Sequence, residues 1–335
     1  FLHYLLENVN RDVKAQGGYG QVADEELRRM VRNYVKRYAD ECIDDYPHKS
    51  ARFRYLFSRL RETAYSIILS IAEEMRQSDF APVSFELSFG GRDGDLPAIT
   101  VREGGASLSV SGKVDRVDGW LHDEKLYLRV VDYKTGQKSF DLTDIRYGLG
   151  IQMLLYLFTL EREGASYFGH PIVPCGVLYQ PARSVILRQD RGISDEKLKA
   201  ALQKELRRTG LVLGEPQILQ AMEHSALESP CYLPIGVKKD GGVTGSVATA
   251  AQLGHLGRYV DKLLHQIAGE IAGGNIDADP YARGPQDSAC TYCAFASACY
   301  FDDSRDKRRP LYKTDSDEFW ALMERKNGEE GHHGR

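Results

Sequence analysis

Residues 109–136 read SVSGKVDRVDGWLHDEKLYLRVVDYKTG, and this stretch decides the fold. It contains two runs in which apolar and polar residues alternate, and a polar connection at His122, Asp123 and Glu124 separates them. Alternation with a period of two is typical of β-strands, so the stretch predicts an antiparallel hairpin. We expect the rest of the chain to be organised around this hairpin.

The second strand of the hairpin ends in an acid and a base. Because alternate residues of a strand share a face, Asp132 and Lys134 lie on the same side of the predicted sheet. The earlier residues of that face are core-like: Leu126, Leu128 and Val130. A carboxylate and an ammonium therefore emerge side by side where an otherwise buried strand ends.

Asp115, on the first strand, would complete a site with two carboxylates and one ammonium. Two neighbouring carboxylates raise each other's pKa unless a cation lies between them, and Mg²⁺ is a cation that accepts carboxylates while leaving room for water and phosphate. A lysine that is not a ligand can orient or deprotonate the attacking water, or stabilise charge on a phosphate. These parts predict metal-assisted phosphodiester hydrolysis.

Other positions near the hairpin have a functional and a structural interpretation. Gly112 lies inside a strand, which indicates either a close approach of backbone or DNA, or a bulge. Arg116 points away from Asp115 by alternation and is interpreted as a structural ion-pair residue. Gln152 and Tyr156 are four residues apart on a predicted helix, so they share a face and can hydrogen-bond a phosphate or a base, or steady the active-site strand.

Periodicity divides the chain into four segments. Residues 1–80 are predicted to be helical, and residues 81–190 to form the sheet-bearing core, with strands at 83–89, 172–180 and 184–188 and one helix over 142–163. Residues 191–285 are expected to be a mostly helical extension: polar helix over 195–228, irregular chain over 231–246 and helix over 247–272. Residues 286–335 hold a cysteine cluster and a C-terminal helix.

Composition limits the class of protein. The 335 residues carry a net charge of −4, with 42% hydrophobic and 27% charged residues, which is typical of a soluble globular protein and argues against a uniformly basic nucleic-acid binder. Neither a signal peptide nor an apolar run of about 20 residues is visible, so we expect a cytoplasmic protein without a membrane partner.

Three of the six cysteines fall within ten residues, at Cys290, Cys293 and Cys299. Disulfides are not expected without export signals. Thiolates at this spacing suit either Zn²⁺ or an iron–sulfur cluster, and buried cysteines that behave as small hydrophobes are the structural alternative. None of the other three cysteines has an obvious pairing signal.

The motifs resemble those of the PD-(D/E)xK nuclease superfamily, in its RecB-like branch. The matching motifs are GKVD at 112–115, DYK at 132–134, Q-x₃-Y at 152–156, the FLH of residues 1–3 and the three cysteines. Three longer segments resemble the AddB family, a component of bacterial AddAB helicase–nucleases: residues 131–157, 211–225 and 275–301. The resemblance implies a restriction-endonuclease-like α/β fold, with a mixed central sheet flanked by helices, a helical N-terminal region and a C-terminal iron–sulfur staple.

The resemblance also assigns residues. It implies that His3, otherwise more readily interpreted as a packed or surface histidine, binds the metal together with Asp115, Asp132 and the backbone carbonyl of Tyr133; an imidazole ligand would favour Mn²⁺ slightly over Mg²⁺. Glu86, whose structural interpretation is an edge-strand carboxylate, becomes a further metal or water contact.

For the cysteines, the resemblance implies a [4Fe–4S] cluster held by Cys290, Cys293 and Cys299. Its fourth cysteine is expected upstream of residue 1, and a large helicase-like region would precede the chain, which begins at Phe1. The cluster would then tie the C-terminal segment to the start of the nuclease domain.

The leading hypothesis is therefore a metal-dependent DNA exonuclease domain of a helicase–nuclease that processes double-strand breaks for recombination with an AddA-like partner. The family resemblance implies cleavage of the 5′-terminated strand. The alternatives are a stand-alone RecB-like iron–sulfur exonuclease and a non-catalytic DNA-binding scaffold. The scaffold is disfavoured, since clustered carboxylates repel phosphate.

Overall fold

Helices and strands alternate along the chain. The structure, a computed structural model, describes residues 1–91, 94–185, 187, 192–284 and 286–328. The α-helices of these ranges are α1 (Leu2–Ala15), α2 (Asp24–Cys42), α3 (Ala51–Met75), α4 (Leu142–Arg146), α5 (Gln152–Phe168), α6 (Asp195–Glu205), α7 (Pro216–Met222), α8 (Ala250–Ala272), α9 (Ala296–Cys299) and α10 (Ser316–Gly328). The strands are β1 (Ala81–Phe89), β2 (Ile99–Glu103), β3 (Ala106–Val110), β4 (Gly112–His122), β5 (Lys125–Lys134), β6 (Ile172–Pro181), β7 (Thr209–Leu213), β8 (Ile235–Val237), β9 (Val243–Gly245), β10 (Val247–Ala248), β11 (Tyr281–Gly284), β12 (Asp287–Ser288) and β13 (Arg309–Pro310).

The predicted hairpin is confirmed as β4 and β5, at the centre of a sheet of six strands. Asp123 and Glu124 connect the two strands with φ of 48° and 60°, the left-handed conformation that tight two-residue turns require. The strand order is β1-β4-β5-β6-β7-β10; β5–β6 and β7–β10 are parallel and the other pairs are antiparallel. The predicted α/β fold with a mixed central sheet is therefore confirmed.

Three helices precede the sheet and share a core. Apolar residues at helical spacing on α1, α2 and α3 are buried together, and Tyr133 of β5 belongs to the same cluster. Ser50 caps α3 by accepting a hydrogen bond from the backbone N–H of Phe53 at 3.2 Å. This packing fixes α1 beside the sheet, so that His3 in its first turn is held near β1 and β4.

The single helix predicted over 142–163 is wrong in detail, because the structure has two helices, α4 and α5. Gly148 and Gly150 lie between them with φ of 77° and 65°. Glycine adopts this left-handed conformation at little cost, and an α-helix cannot continue through it. The apolar periodicity continues across the break and conceals it.

The prediction of polar helix over 195–228 is also partly wrong. Between α6 and α7, strand β7 joins the sheet, and its residues Leu211, Val212 and Leu213 are at most 2% exposed. A short apolar run bounded by turns is ambiguous between strand and helix until its neighbours are known. Part of the predicted strand over 184–188 lies outside the described residues, and the described part is not extended into a strand.

The chain forms two units. The first contains Phe1–Ala98, Ser111–Phe140 and Tyr156–Ala250, and hence the whole central sheet. The second contains Ile99–Val110, Asp141–Leu155 and Ala251–Arg335; its strands form a β2–β3 hairpin and a small sheet of order β12-β11-β13. Within the described ranges, no helix combines the length and apolar character needed to cross a membrane.

Candidate metal-dependent active site

Three ligand-type side chains meet in the first unit. His3 Nδ1 lies 3.4 Å from Asp115 Oδ1 and 3.7 Å from Glu86 Oε1. Among the described residues, these three form the one group of at least three His, Cys, Asp or Glu side chains whose ligand atoms all lie within 4.8 Å of one another. The elements α1, β1 and β4 thus bring together residues that are far apart in sequence.

The charges of this group call for a cation. Hydrogen bonding to Asp115 and Glu86 raises the pKa of His3 to about 10, against an ordinary value of 6.5. The same contact with His3, assisted by Lys113, lowers the pKa of Glu86. A protonated imidazole here neutralises carboxylates that a divalent ion would otherwise neutralise. Oxygen and imidazole donors suit Mg²⁺ and Mn²⁺.

Glu86 has a strained backbone. Its φ is 50°, within β1, where neighbouring residues remain paired with β4. A residue other than glycine rarely adopts this left-handed conformation inside a strand, and such strain is concentrated at functional sites. Lys113 Nζ lies 3.0 Å from Glu86 Oε2 and helps to hold the carboxylate beside the group. Glu86 is therefore placed beside His3 and Asp115, as its sequence position suggested.

Asp132 and Lys134 are adjacent, as strand alternation predicted. Lys134 Nζ lies 2.6 Å from Asp132 Oδ2, and Asp132 is 9% exposed. Burial raises the pKa of Asp132, opposed by the Lys134 hydrogen bond and reinforced by the charge of Asp115. An acid whose proton affinity is raised by a second carboxylate is a suitable ligand for a metal ion that removes this repulsion.

Tyr133 connects the site to the opposite face of the sheet. Its backbone N–H donates to Asp115 Oδ2 at 2.9 Å, which orients that carboxylate. Its phenol oxygen accepts a hydrogen bond from Arg116 Nη1 at 2.9 Å. Arg116 is buried and forms an ion pair with Asp118 at 2.8 Å, so its structural role is confirmed.

Buried charges continue across that opposite face. Arg129 Nε lies 3.0 Å from Asp118 Oδ2, and Arg129 Nη2 lies 2.8 Å from Glu74 Oε1 on α3. Arg208 Nη2 lies 2.6 Å from Glu74 Oε2. We call the five residues Glu74, Arg116, Asp118, Arg129 and Arg208 the buried network. It ties α3 to the strands that carry the site.

The predicted Gln/Tyr pair is not brought into the site as a unit. Tyr156 is 6% exposed, and its ring packs edge-on against Phe89 with centroids 5.1 Å apart. A Cβ atom at Gly112 would lie 2.8 Å from both rings, so the glycine is required by two aromatic side chains rather than by a bulge or by DNA. Gln152 begins α5 and is exposed.

The three clustered cysteines belong to the second unit. Their thiols are free; Cys290 is half-buried, and Cys293 and Cys299 are exposed. The backbone N–H of Cys293 donates to the carbonyl of Cys290 at 3.3 Å, so a short turn brings these two residues together. Cys299 ends α9, which follows directly. Accessible thiols on turns suit a metal or an iron–sulfur cluster better than they suit a buried core.

Lys113 is a site residue that sequence reasoning missed. It precedes Asp115 by two positions, so strand alternation places both side chains on one face. That signal is present in the GKVD motif. Tyr179 was also missed: it pairs with Asp132 in the β5–β6 register, and Lys134 Nζ lies 5.7 Å from the centre of its ring. Nothing local in the β6 sequence marks it.

The fold and these residues define a nuclease of the PD-(D/E)XK type, and comparison with known families agrees. The model of the PD-(D/E)XK nuclease superfamily matches residues 1–300. The chain belongs to this superfamily.

Its relatives narrow the comparison further. The chain is similar to proteins named as the AddB component of an ATP-dependent helicase/deoxyribonuclease, from Acetivibrio thermocellus (33% identical, 96% of this chain), Ruminiclostridium cellulolyticum (30%, 96%) and Thermoanaerobacter sp. (29%, 99%). The resemblance to AddB is thereby confirmed. The chain spans 28%, 28% and 29% of the length of these relatives. A solved structure, the crystal structure of SSO0001, covers 83% of this chain and 97% of its own length at 10% identity and a TM-score of 0.20, which is too low to inform the fold.

Proposed function

We propose that the chain is a metal-dependent DNA exonuclease domain of a helicase–nuclease, the part that degrades DNA at double-strand breaks before recombination. The observation that carries the proposal is the meeting of His3, Glu86 and Asp115 beside the Asp132–Lys134 pair. A binding module gains nothing from carboxylates that repel phosphate, whereas phosphodiester hydrolysis with a divalent ion requires them.

His3, Asp115, Asp132 and the carbonyl of Tyr133 are the proposed ligands, with Glu86 as a further one. A divalent ion, Mg²⁺ or Mn²⁺, would supply Lewis-acid polarisation of the scissile phosphate and a water of lowered pKa. The donor set fits such an ion, because it combines several carboxylates with one imidazole and is short of positive charge.

The remaining residues act by position. The ammonium of Lys134 can hold the attacking water or stabilise charge that develops on a phosphate oxygen. The N–H of Tyr133 keeps one oxygen of Asp115 occupied, so the other oxygen faces His3. Tyr156 is proposed to support β4 through its packing on Gly112. Gln152 remains a proposed contact to the DNA strand.

We further propose that Cys290, Cys293 and Cys299 hold a [4Fe–4S] cluster of structural role, completed by a cysteine from another segment. Three accessible thiols within ten residues support this. Electron transfer is not implied by the site, which lies in a different unit from the carboxylates.

A helicase-bearing partner and cleavage of the 5′-terminated strand complete the proposal. The names of the relatives describe one component of an ATP-dependent helicase/deoxyribonuclease, which supports a complex that acts on DNA. Strand choice follows from the family resemblance alone.

The test compares wild type with Asp132→Ala in the full-length protein, assembled with its partner, on duplex DNA labelled at either 5′ or 3′ end, with ATP and Mg²⁺. We expect only the wild type to degrade the 5′-terminated strand. Asp40→Ala, on an exposed position of α2, is the matched control and should cleave like wild type.

Three other results would contradict the proposal in different ways. If neither protein cuts either strand while both bind DNA, the domain is a scaffold. If degradation is the same without the partner and ATP, the chain is a stand-alone exonuclease. If Asp132→Ala cuts as well as wild type, the catalytic assignment is wrong.

A further inference from the structure

A basic groove begins at Lys134 and leads away from the carboxylates. Its volume is about 830 Å³, and its walls are the segment after β5, the end of β6, residues 204–209 and residues 234–236. All of these belong to the first unit. Lys134 therefore belongs both to the proposed active site and to the mouth of this groove.

The groove is strongly positive in a chain that is negative overall. Its lining contains six basic side chains, Lys134, Lys138, Arg183, Lys204, Arg207 and Arg208, against one acidic side chain, Glu205. The whole chain carries a net charge of −4. Local concentration of one sign of charge against the overall balance is the electrostatic mark of a binding surface for a polyanion.

Two of these cations remain uncommitted. Arg207 donates to the carbonyl of Leu233, and Arg208 pairs with Glu74, so both serve the fold. Lys138 and Lys204 are exposed, and neither forms an ion pair with a carboxylate among the described residues. Exposed lysines on a groove wall are therefore free to neutralise phosphates.

Tyr179 gives the groove a direction. Lys134 Nζ and Lys138 Nζ lie 5.7 Å and 6.0 Å from the centre of its ring, so the ring connects the active-site lysine to the groove lysine. Tyr179 also pairs with Asp132 in the sheet. A strand whose scissile phosphate lies at Asp132 and Lys134 would reach Lys138 with its next phosphates.

We infer that this groove binds the phosphate backbone of a single DNA strand next to the scissile phosphate, through Lys138 and Lys204. The inference rests on the proposed function and names how that site holds its substrate. Several cations spaced along an open groove fit a polyanion better than a single nucleotide. Asp132 is only 9% exposed at the groove's end, and a flexible single strand reaches such a recessed position more readily than a stiff duplex does.

The test separates binding from cleavage by using Asp132→Ala protein throughout for binding. Affinity for a fluorescent single-stranded oligonucleotide is measured over a range of salt concentrations, with and without Lys138→Ala/Lys204→Ala. The matched control is Lys36→Ala/Lys125→Ala: Lys36 is exposed on α2, and Lys125 begins β5 at the end opposite Lys134. Loss of two phosphate contacts should reduce the slope of log affinity against log salt by about 1.4.

Cleavage kinetics in the otherwise wild-type chain complete the test. The groove variant should raise KM for single-stranded DNA about tenfold or more and leave kcat within about twofold, because its lysines do not touch the reacting atoms. An unchanged salt slope, or an equal change in the control variant, would overturn the groove assignment. A reduced slope in a wild type that never cleaves would keep the groove and remove the nuclease. Binding of duplex that is as strong and as sensitive to the groove variant as binding of single strands would overturn the single-strand assignment.

Discussion

The two faces of the β4–β5 hairpin both carry charged residues, and they differ in how the charges are matched. On one face, Arg116, Asp118 and Arg129 belong to the buried network, in which every carboxylate contacts two guanidinium groups. On the other face, Asp115 and Asp132 meet Glu86, and the cations beside them are Lys113, Lys134 and a protonated His3. Alternation along the same two strands separates the faces.

The difference shows what each face is for. Buried charges that are fully paired by fixed guanidinium groups hold elements together and leave no room for a ligand. On the site face, one of the balancing positive charges is a proton on His3, which requires a pKa of about 10. A proton is easily replaced by a metal ion, whereas a guanidinium is not. The matched face supports the fold, and the other is prepared for chemistry.

The sharpest way to break the comparison is to make the same substitution on each face. Asp115→Asn keeps the shape of the side chain and an acceptor for the Tyr133 N–H, but it removes a ligand charge. We expect DNA cleavage to fall on the order of 10⁴-fold, equivalent to about 5 kcal/mol in the barrier, with the free energy of unfolding within about 1 kcal/mol of wild type. Initial rates with Mg²⁺ and urea unfolding test both halves. Retained cleavage would remove Asp115 from the site.

Asp118→Asn, three residues further along β4, should give the opposite pattern. Asp118 is fully buried between Arg116 and Arg129, and loss of its charge leaves two guanidinium groups insufficiently neutralised. Breaking such a pair costs about 3–5 kcal/mol of stability. Urea unfolding measures this loss, while the cleavage rate per folded molecule should change far less than in Asp115→Asn. A stable Asp118→Asn protein would show that the network is dispensable.

Acid should weaken the network face in a defined range. Burial alone would raise the pKa of Glu74, but Arg208, Arg129 and Arg116 lower it to about 2, against an ordinary 4.5. Because the folded-state pKa is lowered, the stabilisation is complete above pH 4.5 and is lost as the pH falls from 4.5 through 2. The loss amounts to roughly 3 kcal/mol. Unfolding free energy across this range should depend more steeply on pH in wild type than in Glu74→Gln; parallel curves would contradict the assignment.

The hairpin and most of the site could be predicted from sequence because their information is local. Alternation places Asp132 with Lys134, and it places Arg116 opposite Asp115, without knowledge of the fold. Glu74 and Arg208 could not be predicted as partners in the buried network, since they come from segments far from β4 and β5 and no periodicity links them. The break between α4 and α5 was missed for a related reason: apolar spacing records which face is buried, not where the backbone turns. The four-segment division of the chain stays a prediction.

The smallest effect concerns the one residue that belongs to both faces. Tyr133→Phe removes the phenol that accepts from Arg116 and leaves the backbone N–H that holds Asp115. A hydrogen bond from a charged donor contributes about 1.5–3 kcal/mol, so stability should fall by about that amount. If the network positions the site through Tyr133, Mg²⁺ affinity should also fall about tenfold, as expected for a residue that orients a ligand. Tyr19→Phe is the control: Tyr19 is equally buried, and its phenol donates to Asn10 Oδ1 at 2.8 Å, away from Asp115. Equal loss of stability in both variants with loss of Mg²⁺ affinity only in Tyr133→Phe would show that the faces are coupled, and unchanged affinity in both would show that they are independent.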